Sequence, residues 1–267
     1  MNKKYILTAL LFWVCSVATA QLMLPAYQGV FNKPIAIASS MITTGLVLNL
    51  DASNIASYPG SGTVWTDLSG SSNNMSLFNG ASYDPINRKS ILFDGVNDYA
   101  GKAAALNTGQ NFTVSVWMYA TLLGSTRTSL VANSYNYGAG NGWFFCTDAG
   151  GAPNSFFLSI GQDNPVKVSS ANILTLNTWN CLTAVIRSGG RYIDLYKNGL
   201  LISGASTDLG VRTITYTYPN FSIGYRDPGV TPDPFKGNIG STQIYNQALT
   251  ATDILANYNA TKLRYGH

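Results

Sequence analysis

The 267-residue chain contains no glutamate, and its one histidine, His267, is the last residue. These absences remove most enzymatic readings. A serine or cysteine nucleophile needs a base within hydrogen-bond reach, and a histidine on a frayable tail is poorly placed to be one. The same shortage leaves zinc without its usual ligands. Glycoside hydrolysis ordinarily uses two carboxylates roughly 5 to 9.5 Å apart. Here all 12 acidic residues are aspartates, and no strand-like segment carries them two or four residues apart. Charged residues make up 10% of the chain, against roughly 25% in an average soluble domain. No basic run is clustered enough for a nucleic-acid surface, and no phosphate-cradling glycine loop precedes a helix.

The sequence begins with Lys3 and Lys4, an apolar stretch from Ile6 to Val17, and the small residues Ala18-Thr19-Ala20. That order predicts a secretory signal peptide over 1–20, cleaved after Ala20. The uncharged run from Tyr5 to Ala20 is 16 residues, short of the about 20 that a spanning helix needs. The expectation is a secreted or cell-surface protein, with the periplasm as alternative, and no membrane span after cleavage. Of three cysteines, Cys146 and Cys181 then remain. In an exported chain such a pair forms a disulfide if its strands are neighbours, or two separately buried thiols if they are not.

Residues 21–44 hold apolar pieces without a sustained period and read as an N-terminal arm or edge strand. From residue 45 onward, short strand patterns recur between turn residues. "NFTVSVWMYA" places Phe112, Val114, Val116 and Met118 on one face and Thr113, Ser115, Trp117 and Tyr119 on the other, the period-2 signature of a strand. "WNCLTAVIRSGGRYIDLYKNGLLISG" reads as strand, turn and return strand. Its Asn198-Gly199 tolerates positive φ at both centres of a tight turn. Only the end looks helical: Thr250 can cap, Asp253 follows three residues on, and Ile254, Leu255 and Tyr258 share a face. Many short strands and one late helix predict an all-β, antiparallel two-sheet sandwich over 45–267.

The series "FDGVNDY", "FTVSVWMY", "WNCLTAVIR…IDLYKNG" and "FKGNIGSTQIYNQALTATDILANYN" resembles the laminin-G-like, concanavalin-A-like lectin/glucanase superfamily, over about Gly45 to Tyr265. The resemblance implies a jelly-roll sandwich. It says little about function, because the fold carries lectins, adhesion modules, hydrolases and structural domains. It also implies a candidate calcium site at the sandwich rim, formed by Asp94, Asn97 and Asp98 with Asp67. Asp94 does not open an EF-hand: Tyr99 stands where that loop needs glycine, and Ala105 where it needs glutamate. The alternative is a turn in which Asp94-Gly95 reverses the chain and Asp98 accepts from backbone amides.

For ligand binding, Tyr135, Asn136 and Tyr137 sit in a Gly/Asn-rich loop of the kind that stacks on sugars. A second cluster offers Tyr218, Tyr225 and Arg226. Half-buried strand packing accounts for such tyrosines equally well. The expected function is exported, non-catalytic recognition or adhesion, with a glycan or surface protein as partner. The alternative is a structural subunit that self-assembles through its arm, and an aspartate-only glycosidase is a remote third.

Overall fold

Alternating apolar residues give each strand one face to bury, and the computed structural model arranges the 17 strands among the described residues into two antiparallel sheets. It describes residues 40–267 apart from 124–126, 134–141, 149–152, 161–165, 170, 203–206, 209, 211–212 and 227–232. The first sheet runs β14 (Leu200–Leu201), β13 (Tyr192–Lys197), β12 (Trp179–Arg187), β7 (Phe112–Leu122), β17 (Lys236–Tyr245), β5 (Ser90–Asp94) and β4 (Ser82–Asp84). Two further strands pair with it: β1 (Leu46–Asp51) on β17 and β15 (Thr207–Asp208) on β13. Along one side of β17, β5 takes the first half and β1 the second. The second sheet runs β11 (Val166–Val168), β10 (Ser155–Ile160), β9 (Trp143–Asp148), β8 (Thr128–Asn133), β16 (Phe221–Ile223), β6 (Tyr99–Lys102), β3 (Met75–Phe78) and β2 (Val64–Trp65).

The core lies between the sheets. Phe112, Val114, Val116 and Met118 of β7 meet Leu182, Ala184 and Ile186 of β12, facing Trp143, Phe145, Phe156 and Leu158 from the other sheet. Burying each such side chain is worth about 1.5–3 kcal/mol, which makes this cluster the main stabilising element. The β12–β13 register turns at 188–190, and the next reversal uses Asn198 at φ 51° and Gly199 at φ 79°. That is the doubly positive turn its residues predict.

The outer face of the first sheet is covered as well. Trp117, Trp179 and Cys181 pack with Tyr265 in a cluster separate from the core. The cover is α1 (Ala251–Thr261) and a 3-10 turn (Lys262–Tyr265). The helix starts with the expected capping box, in which Asp253 N donates to Thr250 Oγ1 and the Asp253 carboxylate accepts from Thr250 N. No helix among the described residues is long and apolar enough to cross a membrane.

Part of the expected arm belongs to the sandwich. Ile42 N donates to Asn257 Oδ1 at 2.8 Å, Tyr245 Oη donates to Ile42 O at 3.0 Å, and Gln247 Nε2 donates to Thr44 O at 2.8 Å. Residues 21–39 of the arm, like the signal segment, lie outside the described residues.

The disulfide is a correction. Cys146 and Cys181 are both free and buried. Cys181 belongs to the outer cluster of the first sheet, whereas Cys146 packs with Ala132, Phe144 and Phe157. On β9 it alternates with the core residue Phe145, so it faces outward from the second sheet. Two sheets about 10 Å apart separate the thiols, and a disulfide needs Cα atoms within about 7 Å. Burial pushes the Cys146 thiol up to about 12 and the Cys181 thiol up to about 11.

Candidate functional site

The β5–β6 reversal, Asp94 to Asp98, is organised by its own aspartates. Asp94 Oδ1 accepts from Val96 N at 2.7 Å and Asn97 N at 3.4 Å, and Asp98 Oδ2 accepts from Asp94 N at 2.9 Å. Gly95 has φ 80°, and a Cβ there would stand 2.7 Å from Lys236 Cβ, so both backbone and space demand glycine. This is the turn reading of the two aspartates.

Asp98 Oδ1 is sealed from solvent and has no hydrogen-bond partner. Its burial, with the Asp94 charge adding to it against the hydrogen bond from Asp94 N, raises the carboxyl above its ordinary range. Asp67 does not join this pair. Its Oδ1 accepts from Asn49 N (2.8 Å) and Ser69 N (2.9 Å), and its Oδ2 accepts from Ser69 Oγ (2.8 Å) and Asn73 N (2.9 Å). That carboxylate is spent on shaping its own loop. Among the described residues, no three acidic, histidine or cysteine side chains gather into a group that holds a metal. Calcium takes six to eight oxygens, carbonyls among them; of the expected carboxylates, Asp94 Oδ1 and Asp98 Oδ2 are turned to amides of their own reversal and Asp67 to those of residues 49, 69 and 73.

Of the expected ligand residues, Tyr135, Asn136 and Tyr137 lie outside the described residues. Tyr218 is half-buried, and its hydroxyl accepts from Asn220 Nδ2 at 3.2 Å. Arg226 is a correction. Expected on a ligand surface, it is 1% exposed, pairs with buried Asp233 at 2.8 Å, and lies 4.9 Å over the Phe144 ring. A guanidinium taken out of water needs such a counter-ion, and this one is committed.

Tyr225 is also buried, yet it leads to a feature the sequence reading missed. Its ring lies 6.3 Å from Tyr99, and Tyr99 lies 4.6 Å from Phe78, with interplanar angles of 27° and 17°. Tyr99 and Phe78 are direct cross-strand partners on β6 and β3. The spacing of neighbouring strands, about 4.8 Å, is also the spacing of stacked rings. Tyr99 leans over Gly101, where a Cβ would stand 2.9 Å from its Cε2. The ladder runs from buried Tyr225 through half-buried Tyr99 to Phe78, which is 40% exposed. Next to it, Asn79 Nδ2 donates to Asn97 O at 2.9 Å, joining the ladder's exposed end to the Asp94–Asp98 turn. The sequence signal was "LFNGAS": an apolar ring just before Asn-Gly. Here that dipeptide carries the chain from one sheet to the other.

Two antiparallel sheets packed as a sandwich, with one short C-terminal helix, define a jelly-roll fold. Residues 94–255 match the concanavalin A-like lectin/glucanases superfamily, and the chain belongs to that family. No curated protein sequence matches the chain. The fold is similar to a Trypanosoma rangeli sialidase solved with sialic acid (TM-score 0.61, 17% identity, 84% of this chain and 34% of that one). It is similar to domain 4 of AbnA, a GH43 extracellular arabinanase from Geobacillus stearothermophilus, solved with arabinotriose (TM-score 0.59, 18% identity, 80% and 98%). It is also similar to the binding domain of botulinum neurotoxin serotype D (TM-score 0.63, 15% identity, 83% and 53%). At these identities the likeness concerns the fold. The chain spans about a third of the length of the sialidase.

Proposed function

We propose that the protein is an exported, non-catalytic recognition module that binds glycan at the exposed end of the Phe78–Tyr99–Tyr225 ladder. One observation carries the reading. Phe78 presents a ring held in place from behind by Tyr99 at 4.6 Å, so its orientation is fixed before any ligand arrives. A preorganised ring loses little rotamer freedom on binding, and its electron-rich face attracts the C–H bonds of a sugar. The exposed Asn79 amide beside it offers an oxygen to hydroxyl groups. The arabinotriose bound by the AbnA domain and the toxin's binding domain, both on the same fold, give the proposal its context.

The non-catalytic part rests on chemistry. A glycosidase acid must reach the scissile oxygen, and the two described carboxyls with raised proton affinity are both withdrawn from solvent: Asp98 inside its turn, and Asp233 against Arg226. Export rests on the leader-like first 20 residues. Recognition on this account does not pass through calcium.

The test is a glycan array probed with wild-type protein and Phe78→Ala, with and without EDTA. The expected result is retention on a subset of glycans, reduced at least tenfold by the substitution and unchanged by chelator. Retention equal in both proteins removes Phe78 from the site, and loss with EDTA restores the metal.

A further inference from the structure

The ladder also sets how much of a glycan the site grips. We infer that the site accommodates a single sugar ring, so that its ligands are short glycans or the terminal unit of a glycoconjugate, and polysaccharide surfaces are excluded. The inference rests on the glycan reading above and deepens it.

A platform for a polysaccharide chain needs several rings lying side by side with their faces outward. Here the rings stand face to face. One face of Tyr99 is taken by Phe78 at 4.6 Å and the other is turned to Tyr225 at 6.3 Å. Tyr225 is 5% exposed, so the far end of the stack is closed. Only the outer face of Phe78 remains. On the side away from β6, Val64 and Trp65 of β2 pair with Ser76 and Met75 and Thr63 O accepts from Leu77 N, no described strand pairs with Phe78 there, and the ring is 40% exposed. One phenyl face covers about one pyranose ring. The next residues along the chain, Asn79 and Gly80, are exposed and carry no ring.

The experiment uses the full chain and titration calorimetry with glucose, galactose, mannose and N-acetylglucosamine oligomers, each from one to six units, alongside pull-down on crystalline cellulose and chitin. The expected result is that affinity for the preferred sugar changes by less than about threefold from dimer to hexamer, with no retention on the crystalline polymers. A tenfold or larger rise with length, or retention on a polymer, with either effect lost in Phe78→Ala, overturns the single-ring inference while leaving the glycan reading standing. If Phe78→Ala matches wild type on every oligomer and polymer, both fall together.

Discussion

The two outer faces of the sandwich carry the same kind of side chain and treat it in opposite ways. On the first sheet, Trp117 stacks on Tyr265 at 4.2 Å, Trp179 lies 4.7 Å from the same ring, and all three are under 7% exposed. The C-terminal helix and 3-10 turn are laid over them, and the indole N–H groups are satisfied: Trp117 by Thr261 Oγ1 at 2.9 Å, Trp179 by Asn87 Oδ1 at 3.0 Å. On the second sheet, Phe144, Cys146 and Phe157 are buried, but at the β3–β6 end the ladder runs out to Phe78. A stacked, hydrogen-bonded and covered aromatic cluster is structure. Phe78 is stacked on Tyr99 and 40% exposed, and no such cover is laid over it among the described residues. The contrast picks out Phe78 more sharply than its exposure alone does, since single exposed apolar residues are ordinary.

The contrast breaks first on large-to-small substitution. Trp117→Ala removes a fully buried ring from beneath the C-terminal segment, and loss of such a side chain costs about 3–5 kcal/mol. Phe78→Ala removes a ring already half in water and costs about 1 kcal/mol or less. Urea unfolding followed by tryptophan fluorescence measures both. Near-equal losses would mean that the ladder is a second core element, which would weaken the functional reading of Phe78.

A smaller effect comes from adding one methyl group on each face. A Cβ on Gly240 would stand 2.5 Å from Tyr265 Cε1 and Oη, inside a ring stack that has no room to move. Gly240→Ala therefore costs about 1–3 kcal/mol by overpacking. A Cβ on Gly101 meets Tyr99 Cε2 at 2.9 Å and Cδ2 at 3.0 Å. That ring sits on the open side and can tilt, so Gly101→Ala costs under about 1 kcal/mol. The tilt disturbs Phe78, so glycan retention falls while the unfolding midpoint barely moves. A Gly101→Ala protein as destabilised as Gly240→Ala would show the open face to be as tightly packed as the covered one.

Much of this architecture is legible in the residues. The alternation along β7 fixes which of its side chains enter the core, Asn198-Gly199 fixes a turn, and Thr250 with Asp253 fixes the helix start. The turn reading of Asp94-Gly95 is also local, because an aspartate bonding amides two and three residues on is a matter of chain geometry. The cysteines were not legible. Alternation places each on one face of its strand, but which sheet a strand joins is a long-range property. Asp67 failed for the same reason: its four donors come from residues 49, 69 and 73, and only the fold gathers them. Phe78 and Tyr99 are 21 residues apart in sequence and 4.6 Å apart as rings, and no periodicity connects them. The face of the sheet that carries Trp117 is legible because that residue lies inside a long alternating strand. Phe78 lies in a four-residue strand in a loop-rich stretch, where pattern is too short to speak.

The smallest expected difference is one of proton affinity. Asp84, near the covered face, is held below the ordinary carboxyl range: burial opposes this, but hydrogen bonds from Asn87 N, Ile86 N and Asn238 Nδ2 outweigh it. Asp98, beside the open ladder, is held above that range by burial, with Asp94 adding to it. Linkage gives the two opposite signs. Asp84 stabilises the fold above its unfolded value, near 3.9, and that contribution is lost as pH falls through its depressed folded value. Asp98 favours the fold below the unfolded value, and that contribution is lost as pH rises through its elevated folded value. Against Asp98→Asn, wild type should therefore gain relative stability as the pH falls from 7 toward about 4. Against Asp84→Asn, it should lose relative stability on going lower still. Urea midpoints across that range, each as a difference from its own variant, cancel the titration of the other aspartates. A difference for Asp98 that stays flat or falls on acidification would mean that its sealed oxygen finds a partner in solution, and the reasoning that keeps it from acting on a substrate would lose its footing.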